Sequence, residues 1–238
     1  MSAVYEEEYF ARNYRNYARQ NPPSKLEFYR RLIDGATPQR PQRRILDIGC
    51  AFGAFLASLD DSWKLFGLDP SQYAIHEAQK RLPQATLQTG SAIAIPYAGP
   101  FDAIVSFDCL EHVDDLDAVR SGIAERLADD GAFVFVVPVY DGPTGPVIRL
   151  LDRDPTHVHK RERWFWIEWA RQAFEVVNWW GAYRYLLPGG FYVHLPTRRF
   201  RRWTPAIAVV AKARPCDKEA ASTAASGEGE STPGASKS

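Results

Sequence analysis

Residues 45–53, Ile45-Leu46-Asp47-Ile48-Gly49-Cys50-Ala51-Phe52-Gly53, form an apolar run that breaks into a glycine-bounded turn. A short apolar run ending in turn residues fits a buried strand, here Arg44 to Ile48. Glycine removes the Cβ that would block a close approach, so a strand running into Gly49 and Gly53, then into a helix, offers backbone amides to a ligand. The spacing lacks the third glycine of G-x-G-x-x-G, and it is not G-x-x-x-x-G-K-[ST]. A dinucleotide fingerprint and a phosphate loop are both absent.

Outward from this turn, short apolar runs alternate with stretches of helical period, which predicts βαβ units and a parallel sheet. Strands are predicted at Lys64 to Leu68, Ala85 to Thr89, Phe101 to Phe107, Phe133 to Val139, near Glu175 to Trp180, and at Ala206 to Lys212. Ala74, Ile75, Ala78 and Leu82 recur at helical spacing, as do Leu116, Val119, Ile123 and Leu127 before Gly131. Another helix is predicted over Trp164 to Phe174. Residues 1–40, with Tyr5, Tyr9, Tyr14 and Tyr17 and the stripe Leu26, Phe28, Leu32 and Ile33, are read as a helical cap or lid. The stretch 140–163 is rich in Gly, Pro, Asp and Arg and reads as an insertion beyond the end of the fifth strand. Residues 214–238 have the Ser, Ala, Gly and Glu composition of a disordered tail.

Asp69 follows Asp47 by 22 positions and ends the second strand, where a carboxylate can accept both hydroxyls of a ribose. With Pro70 behind it, the same residue has the pattern of a helix N-cap followed by proline at N1. At this point the chain resembles the class I S-adenosylmethionine-dependent methyltransferases, in particular their small-molecule branch. Four motifs carry the likeness over residues 40–140: residues 45–53, Leu68-Asp69-Pro70-Ser71, the run from Phe101 to Val113, and Leu127-Ala128-Asp129-Asp130-Gly131-Ala132.

The resemblance implies a Rossmann-like three-layer α/β sandwich whose sheet has seven strands, mostly parallel, with the last antiparallel, spanning residues 41–213. It implies S-adenosylmethionine as cofactor, with Asp47, Gly49, Cys50, Ala51, Phe52 and Gly53 at its methionine part and Asp69 on the ribose. Phe107, Asp108 and Leu110 would wall the sulfonium methyl. Apart from the resemblance, the N-terminal tyrosines are read either as closing over the cofactor, with Tyr14 or Tyr17 reaching its carboxylate, or as packing the cap helix. Ala51 stands where the family's loop commonly has a glycine. Ser91 stands where an acidic residue often reads the adenine amino group, so Ser91 or the backbone of Ala92 is expected there, with Pro70 against the ring.

Methyl transfer from a sulfonium needs the nucleophile held in line, and a base only when that nucleophile is a hydroxyl. His157, within Asp154-Pro155-Thr156-His157-Val158-His159, is the expected base, and Asp108 and His112 are further catalytic candidates. Glu111 is read as structural. Trp164, Phe165, Trp166, Trp169, Trp179, Trp180, Tyr183 and Tyr185 suit either core or an apolar acceptor pocket.

Lysine plus arginine equal aspartate plus glutamate at 29 each, so no overall field draws the chain to nucleic acid or an anionic surface, and Arg198, Arg199, Arg201 and Arg202 form only a local basic patch. Three scattered cysteines offer no disulfide framework and no zinc spacing. No metal is expected, no run approaches a membrane span, and the cytoplasm is the expected compartment. The activity so implied is methyl transfer to a small-molecule acceptor, foremost O-methylation, by a monomer or homodimer. The alternatives are a non-catalytic cofactor-binding partner protein and an RNA- or protein-directed methyltransferase.

Overall fold

A computed structural model describes residues 17–152, 154, 156–187 and 191–214. The short helix α1 (Tyr17–Gln20) and α2 (Pro23–Asp34) lead into β1 (Arg43–Ile48), β2 (Trp63–Asp69), α3 (Gln72–Arg81), β3 (Thr86–Thr89) and β4 (Phe101–Phe107). There follow α4 (Leu116–Arg126), β5 (Leu127–Pro138), α5 (Gly145–Leu151), α6 (Arg163–Arg171), β6 (Phe174–Leu187), β7 (Phe191–Thr197) and β8 (Ala206–Ala213).

One sheet joins all the strands in the order β3-β2-β1-β4-β5-β8-β6-β7. The first five pair in parallel, β8 inserts antiparallel between β5 and β6, and β7 pairs antiparallel with β6. The fold is therefore the expected Rossmann-like sandwich with its antiparallel final strand, but with eight strands. The additional one, β7, is the return arm of a hairpin with a long β6, which continues past Trp180 to Leu187.

Alternation along the strands divides the core between the two faces. Leu46, Ile104, Phe133 and Phe135 point to the face covered by α4 and α6, where Val119, Ile123, Trp166 and Ile167 meet them. Ile45, Val105, Val134 and Val136 point to the opposite face, against Tyr29, Leu32 and Ile33 of α2. The N-terminal helix thus packs on the sheet itself.

Three local readings change. The helix expected after Gly53 is a single 3-10 turn, Leu56–Ser58, because β2 begins at Trp63 and the turn Asp60-Asp61-Ser62 takes up the intervening chain. The helix expected to reach Leu127 stops at Arg126, and β5 starts six residues before Phe133, pairing Leu127 with Phe101. The N-cap of α3 is Ser71, whose Oγ accepts from the Ala74 amide at 3.1 Å, and not Asp69. Asp69 is the last residue of β2 and its side chain turns toward the first loop.

Candidate active site

The carboxyl ends of β1, β2 and β4 lie side by side, where open parallel sheets bind their ligands. The turn after β1 is held to the next strand: the Gly49 and Cys50 amides donate to the Leu68 carbonyl at 2.7 and 3.1 Å. Gly49 and Gly53 have φ of +82° and +70°, and a Cβ on Gly49 would lie 2.6 Å from the Cys109 side chain. Ala51 also adopts a left-handed φ of +45°. The loop keeps a glycine-type conformation at the position where the resemblance leads one to expect glycine.

Asp69, 6% exposed, stitches two turns together: one carboxylate oxygen accepts from the Ala51 amide at 2.9 Å and the other from Ser71 at 3.0 Å. Burial raises its pKa to about 6 against those two hydrogen bonds. Asp47, 3% exposed, receives no hydrogen bond from the described residues, and burial together with the neighbouring Asp69 pushes it up to about 8. A buried carboxylate without donors is costly by itself and suits a cationic guest. S-adenosylmethionine, which brings an ammonium and a sulfonium, fits that requirement.

One cavity of about 310 Å³ is bordered by Asp47, Gly49, Cys50, Ala51, Phe107, Asp108, His112 and His157. Among the expected site residues these are brought together. Phe52 packs edge-on to Tyr17, and Phe52, Gly53, Asp69, Pro70 and Leu110 do not line the cavity. Ser91 and Ala92 follow β3, whose Thr89 is paired with Asp69, so they extend the same edge of the sheet beyond the cavity. Tyr14 lies outside the described residues. Tyr17, three residues on, borders the cavity and its hydroxyl accepts from the Ala54 amide at 3.2 Å.

The insertion supplies a second cluster. His157 Nδ1 lies 2.8 Å from Asp152 Oδ2, and the Tyr140 hydroxyl donates to that same oxygen. Burial raises Asp152, but the hydrogen bonds from Tyr140 and His157 outweigh it and hold the carboxyl far below its ordinary value. An ionised carboxylate only accepts, so the histidine proton sits on Nδ1 and Nε2 carries the lone pair. His112 Nδ1 meets the Thr156 carbonyl at 3.1 Å, which fixes the same tautomer, and burial holds its pKa low. His159, in contrast, is tied to the Val113 carbonyl at 2.8 Å and lies outside the cavity.

Several cavity residues stood outside the sequence reading. Arg184 on β6 pairs with Asp108, and although burial raises that carboxyl, the Arg184 and Lys25 charges hold it below its ordinary value. Lys25, buried between the Tyr29 and Tyr192 rings, has its pKa lowered to about 8 by burial. Glu111, read as structural, borders the cavity at 1% exposure, with Oε2 lacking any hydrogen-bond partner. Of the aromatics named in the sequence, Trp166, Trp169 and Trp179 are buried in the core, Trp164 is exposed, and among those whose side chains are described none borders this cavity.

A family model described as a methyltransferase domain matches residues 14–186. Ajmaline N-methyltransferase of Rauvolfia serpentina is 29% identical over 125 residues, 45% of this chain and 42% of that enzyme. Norajmaline N-methyltransferase of the same plant is 27% identical over 134 residues, covering 52% and 45%. The chain thus spans less than half the length of these curated relatives. A SAM-dependent methyltransferase of Thermotoga maritima superposes with a TM-score of 0.63 at 15% identity, over 86% of this chain and 98% of its own. The matched segment takes in the Gly49–Gly53 turn, Asp69 and the insertion, and by it the chain belongs to the S-adenosylmethionine-dependent methyltransferases of class I.

Proposed function

We propose that this chain transfers the methyl group of S-adenosylmethionine to a hydroxyl oxygen of a small-molecule acceptor. The observation that carries the reading is that one cavity is bordered both by Asp47 with its loop and by His157 backed by Asp152. S-adenosylmethionine supplies a methyl already activated on a sulfonium, and the protein's share is to place and deprotonate the nucleophile.

Asp47 receives the ammonium of the methionine moiety and the Gly49–Gly53 turn lies along it. Each oxygen of Asp69 spends one lone pair on an amide, which leaves one on each for the two ribose hydroxyls. Pro70, Ser91 and Ala92 frame the adenine, and Phe107, Asp108 and Leu110 flank the methyl. His157 Nε2 takes the acceptor proton as the oxygen attacks, while Asp152 stabilises the imidazolium that forms. A cavity of about 310 Å³ is at the small end of ligand sites, which favours a metabolite over a polymer. Cys50 and Cys109 are both free thiols, which suits the reducing cytoplasm.

A screen of metabolites with labelled methyl donor identifies the acceptor. On that acceptor, His157→Ala is expected to lower kcat by about 10²-fold with donor affinity unchanged. Unchanged turnover at saturating acceptor would remove the base from the mechanism. A nitrogen acceptor is the second reading, favoured by the names of the two Rauvolfia relatives. A neutral amine attacks without prior proton loss, so that outcome would accompany it.

A further inference from the structure

Glu111 and His112 sit on the 3-10 turn Leu110–His112 that follows β4, and His157 comes from the insertion. One ligand atom from each of the three lies within 4.8 Å of the other two. The His112 and His157 rings are 4.7 Å apart, inclined at 50°. We propose that Glu111, His112 and His157 form a binding site for a divalent first-row transition-metal cation in the wall of the cavity.

Three independent observations support this. The first is the donor set, two imidazoles and one carboxylate, which suits iron, cobalt, manganese or zinc and leaves positions open for an exogenous oxygen. The second is Glu111 itself: a carboxylate oxygen buried without a partner needs a cation or a donor, and the described residues offer neither at Oε2. The third is the layer behind the ligands. Histidines that bind metals present one nitrogen to the ion and donate the other N–H to a carboxylate or carbonyl. His157 does so to Asp152 at 2.8 Å, and His112 to the Thr156 carbonyl at 3.1 Å. Both rings are thereby fixed in the tautomer that puts the lone pair on Nε2.

The separation is somewhat wider than in a loaded site. Ligands about 2.1 Å from an ion stand roughly 3–4 Å apart, a gap that small side-chain rotations close. The local charge is suitable as well. Asp108 is neutralised by Arg184, while Asp154 also borders the cavity and adds a further negative charge.

The inference rests on the methyl-transfer reading and changes the part His157 plays in it. With an ion seated, Nε2 is a ligand and the ion activates the acceptor. The acceptor oxygen binds the ion, its proton passes to solvent water, the new C–O bond forms as the C–S bond breaks, and the donor leaves as a neutral thioether.

The test uses full-length protein stripped with chelator, then titrated with Co(II) and followed by visible absorption, with Mn(II) followed by electron paramagnetic resonance. One equivalent is expected to bind, with a Co(II) spectrum of mixed nitrogen and oxygen ligation. Glu111→Gln and His157→Ala are expected to weaken binding by at least tenfold. Asp152→Asn, which touches the ion only through His157, is expected to weaken it by about tenfold. His76→Ala, at an exposed position of α3, serves as the control and should leave it unchanged. Melting temperature and S-adenosylmethionine affinity, measured on each variant, separate lost ligation from lost folding. Absence of saturable binding, or binding indifferent to both ligand variants while they remain folded, would overturn the site. Because donor binding is measured apart from the metal, a protein that binds S-adenosylmethionine and no metal refutes this inference alone.

Discussion

Asp47 is the residue in which burial, charge and ligand preference meet. Its folded pKa of about 8 stands well above the ordinary carboxylate value, so the folded protein holds this proton more tightly than the unfolded chain does. The stability tied to that proton is complete below about pH 4 and is lost as the pH climbs toward 8. Without cofactor, Asp47→Asn is expected to be progressively more stable than the wild type across that window, by at least about 1 kcal/mol at pH 8, in denaturant titrations. Parallel stability curves would show that Asp47 already has a partner. Asp47 and Asp69 were legible in the sequence because each closes a strand just before a turn. That no described residue donates to Asp47 was not, since it depends on which side chains fail to reach it. Glu111 shows the same limit: its neighbour His112 is adjacent in sequence, but His157 is brought to it only by the path of the insertion.

At the scale of elements, the sequence showed strands best where both faces are buried. The range Phe101 to Phe107 was read with its observed ends, and β1 was missed by one residue. It showed them least well where the pattern was half polar. The run Leu127-Ala128-Asp129-Asp130-Gly131 looks like the end of a helix, but Leu127 pairs with Phe101 of β4 and the run is strand, with a register shift before Ala132. The 3-10 turn after Gly53 was misread as a helix because glycine loops in parallel sheets usually lead into one. That loop is packed more tightly than its composition suggests. Gly49→Ala would place a Cβ 2.6 Å from Cys109 while keeping a φ of +82°. It is expected to destabilise the fold by about 2–3 kcal/mol and to abolish donor binding. Retained stability with lost binding would mean the loop is looser than its contacts imply. The insertion is anchored independently by Arg163, whose guanidinium meets Asp141 and the Arg201 and Thr204 carbonyls beneath the sheet edge.

For the whole molecule, zero net charge and a cavity of about 310 Å³ both support the proposed small acceptor, reached without electrostatic steering along a polymer. The basic patch does not oppose this. Arg198 and Arg201 lie over the Trp180 and Trp179 rings, with Arg201 also donating to the Trp179 carbonyl, so these guanidiniums are packed against the protein's own surface. Among the described residues no helix is long and apolar enough to cross a membrane. The order of the motifs made the family legible in the sequence, whereas the side of the cavity proposed for the acceptor, lined by residues of α2, β6 and the insertion, has no local signature. The proposed binding of a nucleoside sulfonium rests on Asp47 and Asp69, at the carboxyl ends of β1 and β2. Calorimetric titration of the chain with S-adenosylmethionine, and separately with NAD, tests it most directly. The predicted result is one equivalent of S-adenosylmethionine, weakened by about 1–3 kcal/mol in Asp69→Ala, with no heat from NAD. Saturable NAD binding, or S-adenosylmethionine binding untouched by Asp69→Ala, would contradict it.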